Sequence, residues 1–72
     1  SNGEGIPTVT SPTNLDLSAP NAVRVIGGGV FQLPRLTSTE RDALVVTSGS
    51  VIYNTSTNKF QGYENGVWVN LI

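Results

Sequence analysis

The last third of the chain, SVIYNTSTNKFQGYENGVWVNLI, places large apolar side chains on both faces of one small sheet, and nothing else in the sequence constrains the fold as strongly. Asn65-Gly66, flanked by alternating runs, is the strongest short hairpin signal a sequence offers, because a type I′ turn needs φ > 0 at both central positions. Thr55-Ser56-Thr57-Asn58 is turn-like as well. The spacing therefore predicts a three-stranded β-meander over Ser50–Asn54, Lys59–Tyr63 and Val67–Leu71. Successive strand side chains point to opposite faces. Val67, Val69 and Leu71 then share one face and Trp68 takes the other; Phe60 opposes Tyr63, and Val51 and Tyr53 oppose Ile52. A lone three-stranded sheet with one short helix cannot cover both faces, whereas partner chains can.

The chain's size sharpens that inference. It has 72 residues, 38% of them hydrophobic, with eight Gly and four Pro. For domains this small, apolar burial roughly cancels conformational entropy unless something staples the fold. Cysteine is absent, which removes disulfides and thiolate metal sites. Histidine is absent too, and the five carboxylates are scattered. Association with copies of itself is the staple left, so the chain is expected to fold as an oligomer.

Several function classes fall away on similar grounds. A net charge of -1, with four Lys and Arg that do not cluster, excludes a basic nucleic-acid surface. No apolar run approaches the ~20 residues of a membrane-spanning helix, so no membrane insertion is expected. Without His or Cys, no Ser-His or Cys-His pair can be built. Glu40, Asp42 and Glu64 are ordinary exposed carboxylates rather than an acid–base pair, so neither enzyme activity nor a cofactor is expected. Position 1 is not Met, and the segment is expected to be part of something longer.

Upstream of the meander the vocabulary changes. Residues 1–20 hold Pro7, Pro12 and Pro20 and read as an extended shaft or linker, with one short alternating run at Asn14–Leu17. Asn21–Ile26, NAVRVI, is β-like, with Val23 and Val25 on one face and Arg24 and Ile26 on the other. Gly27-Gly28-Gly29 ends that run; it lacks the following helix and Lys of a phosphate-binding turn. In FQLPRLTSTERDAL, Thr37 and Glu40 form a T-x-x-E capping box, which predicts one short helix over about residues 38–44. Such a helix is too short to stand alone in water and has to dock on something.

The chain resembles a recurrent module of bacteriophage tail-fibre and tail-collar proteins, also found in some bacterial and giant-virus surface proteins. The resemblance rests on Gly29, Phe31, Pro34, Arg35, Thr37, Arg41, Asp42, Ala43 and Leu44, then on Gly49, Ile52, Tyr53, Asn54, Thr55, Thr57, Asn58 and Lys59, and finally on Asn65, Gly66 and Trp68. It covers about residues 21–72; the departure is Val30, which separates Gly29 from the aromatic that usually follows the glycine directly. The resemblance implies a mostly β, intertwined homotrimer, with residues 21–72 as the trimeric fibre module. The implied role is structural: holding three chains in register in a virion tail fibre, collar or surface spike, beside other fibre or baseplate components.

The alternative is a receptor-binding tip that recognises host surface carbohydrate or protein. On the first reading Leu33-Pro34-Arg35-Leu36 turns the chain into a helix that caps a neighbouring protomer's sheet. The side chains expected at the trimer interface are Phe31, Leu33, Leu36, Leu44, Ile52, Tyr53, Phe60, Trp68, Val69 and Leu71. Arg35, Arg41, Asp42 and Glu40 are the candidates for ion pairs between chains. On the alternative, Trp68 and Tyr63 are the candidate receptor contacts, set against their ordinary use in strand packing.

Overall fold

A computed structural model describes residues 6–72 and contains one four-stranded mixed sheet with a single helix. In chain order the elements are β1 (Arg35–Leu36), α1 (Ser38–Asp42), β2 (Val51–Asn54), β3 (Lys59–Glu64) and β4 (Val67–Asn70). The sheet order is β1-β2-β3-β4, with β1 parallel to β2 and the remaining pairs antiparallel. The meander lies where the alternation predicts it.

Turn chemistry sets the register. Asn65 and Gly66 both adopt positive φ, 51° and 82°, as a two-residue type I′ connection between β3 and β4 requires. Gly66→Ala would force a Cβ into left-handed backbone. It is expected to cost about 1–2 kcal/mol, read as a lower urea midpoint at fixed chain concentration. At the other hairpin Asn58 takes φ 57°, and the Asn54 side-chain Oδ1 accepts the Ser56 and Thr57 N–H groups at 2.8 and 3.3 Å. Gly62 makes room on the sheet for a neighbour: a Cβ there would stand 3.1 Å from Leu71 Cδ2.

The helix is shorter than the predicted 38–44 and ends at Asp42. Its start follows the capping box: Thr37 Oγ1 accepts the Glu40 N–H at 3.2 Å, and Glu40 Oε1 accepts the Thr37 N–H at 2.9 Å. At its end the Leu44 N–H reaches the Arg41 carbonyl, a tighter turn, before the β-branched Val45-Val46 run.

Three features depart from expectation. Leu33–Leu36 is more than a turn into the helix: Arg35–Leu36 is a strand, extended by bonds from Tyr53 N–H to the Pro34 carbonyl and from Thr55 N–H to the Leu36 carbonyl. The helix rests on its own chain's sheet. The Ser38 N–H donates to Ser56 Oγ, and Arg41 Nη1 donates to Gln61 Oε1. Finally, Asn14–Leu17 and Asn21–Ile26 form no strand within the chain. A strand needs a ladder partner as well as alternation, and none lies beside them among the described residues. Of the expected Pro-rich segment 1–20, residues 1–5 lie outside those described.

Candidate assembly surface

Alternation and register assign the strand side chains to two faces. The helix face carries Leu36, Ile52, Asn54, Gln61, Tyr63, Trp68 and Asn70; the open face carries Arg35, Val51, Tyr53, Phe60, Glu64, Val67 and Val69, and Leu71 continues the β4 row.

The helix face is held by amides. Asn54 is 0% exposed and Gln61 6%, whereas the buried hydrophobic core among the described residues is Ile52 alone, at 4%. Asn54 Nδ2 donates to Gln61 Oε1 at 3.0 Å and to Ser38 Oγ at 3.1 Å, while its Oδ1 accepts the two turn N–H groups. Gln61 Oε1 also accepts from Arg41 Nη1 at 2.9 Å, and its Nε2 donates to Asn70 Oδ1 at 2.8 Å. The amide network thus ties the helix to three strands, and each polar atom of the two central side chains has at least one partner. Arg41 adds a second attachment. It forks onto Asp42 Oδ1 through Nε and Nη2, and its guanidinium sits 5.9 Å from the Trp68 ring centroid. Trp68 meets Tyr63 edge-on at 5.1 Å.

The open face has the reverse character. Val51, Phe60, Val67 and Leu71 are all exposed, at 41–56%. Tyr53 and Phe60 pack edge-on at 4.9 Å, and with Phe31, Leu33 and Arg35 they line a cavity of about 240 Å³. Further upstream Ile6, Val9, Val23, Val25, Ile26 and Val30 are exposed too. Full burial of one such side chain is worth about 1.5–3 kcal/mol, while ordering each residue's backbone costs about 1–2 kcal/mol. With Ile52 as its buried hydrophobic core, one copy leaves most of its available apolar burial unused.

The expected interface residues divide between these surfaces. Phe31, Leu33, Tyr53, Phe60, Val69 and Leu71 lie on or beside the open face. Leu36 and Trp68 belong to the helix face, Ile52 is buried within its own chain, and Leu44 lines a groove next to Trp68. Of the four charged candidates, Arg41 pairs with Asp42 of the same chain and Glu40 serves the capping box. Arg35 stands on the open face, which otherwise carries one charged strand residue, Glu64. The residues expected at the interface left out Val51 and Val67, although alternation had set them on apolar faces, and Gln61 and Asn70 on the other face were not singled out. Their signal was available in the alternation, which sets Gln61 opposite Asn70 and on the face of Asn54.

Trp68 connects the surfaces, because its ring supports Arg41 while its strand borders the groove with Leu44. Trp68→Ala and Leu44→Ala are each expected to weaken both folding and assembly. Sizing with denaturant titration checks this, and a folded monomer from either variant would contradict it.

A family model described as a phage tail like trimerisation region matches residues 5–72. The match takes in most of the Pro-rich segment, which the motifs alone left outside the module. No curated protein and no solved structure matches the chain.

Proposed function

The chain belongs to the phage tail like trimerisation family, a structural role in phage-like tails, and on that premise we propose that three copies meet through the open face of the sheet. The observation that carries this is the inverted burial within one copy. The only side chain fully removed from solvent among the described residues is an asparagine, while Val51, Phe60, Val67 and Leu71 stay exposed. Three copies that bring these faces together gain the apolar core one copy lacks. The mechanism is mechanical: a shared core keeps three chains in register and makes unfolding of any one depend on the others. Within the matched region residues 21–72 carry the helix and the sheet, residues 6–20 lead into them, and Arg35 is the open-face charge available for a pair between chains.

Placement in a tail fibre, collar or surface spike follows as the finer reading. Labelling of particles with antibodies raised against this chain tests it, and signal confined elsewhere would sink that placement. The shared core is tested by melting over a dilution series. A single transition whose midpoint falls on dilution is expected, and a midpoint independent of concentration contradicts a shared core. The tip reading, with Trp68 and Tyr63 meeting a host glycan, draws on the groove of about 740 Å³ beside them. The edge-on packing of these rings and the Arg41 guanidinium over Trp68 favour the scaffold instead.

A further inference from the structure

β4 is a free edge. The closing pair of its two-residue hairpin, Glu64 and Val67, exchanges both backbone bonds, and hydrogen-bonded pairs recur at every second residue from there. The Leu71 N–H to Phe60 carbonyl bond of 2.9 Å has the same phase. The backbone groups of Val67, Val69 and Leu71 therefore point toward β3, and those of Trp68 and Asn70 point away from the sheet. At the opposite edge, β1 is two residues long, follows a proline and runs directly into the helix cap. Natural edges are blunted by charge, proline or bulges. VWVN carries no charge and no proline.

Residues 21–26 show the complementary mismatch: β-like alternation without a ladder partner, and Val23, Val25 and Ile26 exposed. The geometry points to residues 21–26 of a second copy as the strand that pairs with β4. This rests on the trimer reading and specifies which segment crosses between chains. The copy's own segment leads into β1, at the far edge of the sheet.

The side chains fit in one facing only. With Val23 and Val25 toward the open face, they extend the apolar row of Val67, Val69 and Leu71. Arg24 and Ile26 then enter the groove of about 740 Å³ beside Trp68. Its lining supplies Asp42, whose Oδ1 already holds Arg41 but whose side chain is 63% exposed and keeps Oδ2 for the second arginine, and the exposed Leu44 and Val45 for the isoleucine. The reverse facing would strand Arg24 among Val69 and Leu71.

The first test is site-resolved amide exchange on the full chain, at a concentration where its mass is three chains. The Trp68 and Asn70 amides are expected to exchange at least about 100-fold more slowly than open chain. Arg24→Pro or Val25→Pro should release them, since one of the two removes a donor to β4 whichever way the added strand runs, while the Tyr53 and Tyr63 amides inside the sheet stay protected. Open-chain exchange at Trp68 and Asn70 in the three-chain species, or protection that survives both prolines, overturns the pairing and leaves the trimer standing. The second test refolds Val25→Cys chains together with Val67→Cys, Val69→Cys or Leu71→Cys chains in turn under oxidation, which covers every register on the open face, the sequence having no cysteine of its own. A disulfide joining one chain of each kind is expected in at least one mixture. Its absence alongside protected amides assigns the strand to its own copy and overturns the exchange. A one-chain mass for the unsubstituted protein overturns the assembly reading itself.

Discussion

Asn54→Ala is expected to lower the unfolding free energy by on the order of 3 kcal/mol, the largest loss from any single truncation on the helix face. The side chain it removes is 0% exposed and partners the Ser56 and Thr57 N–H groups, Gln61 Oε1 and Ser38 Oγ. A buried polar group left without a partner costs about 1–3 kcal/mol, and this substitution orphans more than one. Asn54→Asp should fare no better. It keeps an acceptor for the turn but loses the donor to Gln61 and sets a buried charge against that residue's carbonyl oxygen. Ser38→Ala, by contrast, removes one part-buried contact of the network and is expected to cost about 1 kcal/mol. Denaturant midpoints at fixed chain concentration check all three. If Asn54→Ala and Ser38→Ala cost the same, the amide network is not what holds the helix to the sheet.

The second large effect belongs to the open face. Phe60→Asp is expected to abolish assembly, because it would bury a carboxylate from each chain in a shared apolar core, at a cost of several kcal/mol per charge. Phe60 is 43% exposed in one copy, so the substitution removes little from the isolated chain beyond its edge-on contact with Tyr53. Its backbone carbonyl, which accepts from Leu71, is unaffected. Phe60→Leu, which keeps an apolar side chain, should retain assembly with a modest loss. Sizing of the two variants at matched concentration separates them. Assembly by Phe60→Asp at the unsubstituted chain's dissociation concentration would show that the chains meet elsewhere.

What the sequence made legible were the features set by local chemistry. Asn65-Gly66 declared its turn because the conformation needs two positive-φ positions in succession. Thr37 and Glu40 declared the helix start because the capping box is a three-residue relationship. Alternation then gave the faces of the meander, including the separation of Trp68 from Val67 and Val69. What it did not show was non-local. The parallel pairing of Arg35–Leu36 with Tyr53–Asn54 joins residues separated by the helix, and two residues carry no periodicity to announce it. Asn54 read as the last residue of a strand, which it is, but its bridging role depends on Gln61 arriving from β3 and Ser38 from the helix. The same limit explains residues 21–26: the alternation is there, but a strand exists only when an edge is available to it.

These points agree on where the chain's stability comes from. Within one copy, hydrogen bonds organise the helix face and fix the sheet's register, but such bonds contribute modestly in net terms and the apolar surface stays outside. Assembly supplies the missing burial, and the polar helix face keeps the sheet from presenting two sticky sides. On the proposed reading, the open face supplies the shared apolar core and the β4 edge the strand exchange between copies.

The solution mass of the 72-residue chain, measured by light scattering on a sizing column over a dilution series, tests this most directly. The expected result is a mass of three chains that gives way to unfolded single chains on dilution, with no folded monomer between them. A well-folded monomer that keeps its sheet at all concentrations would contradict it, because the open face would then need no partner.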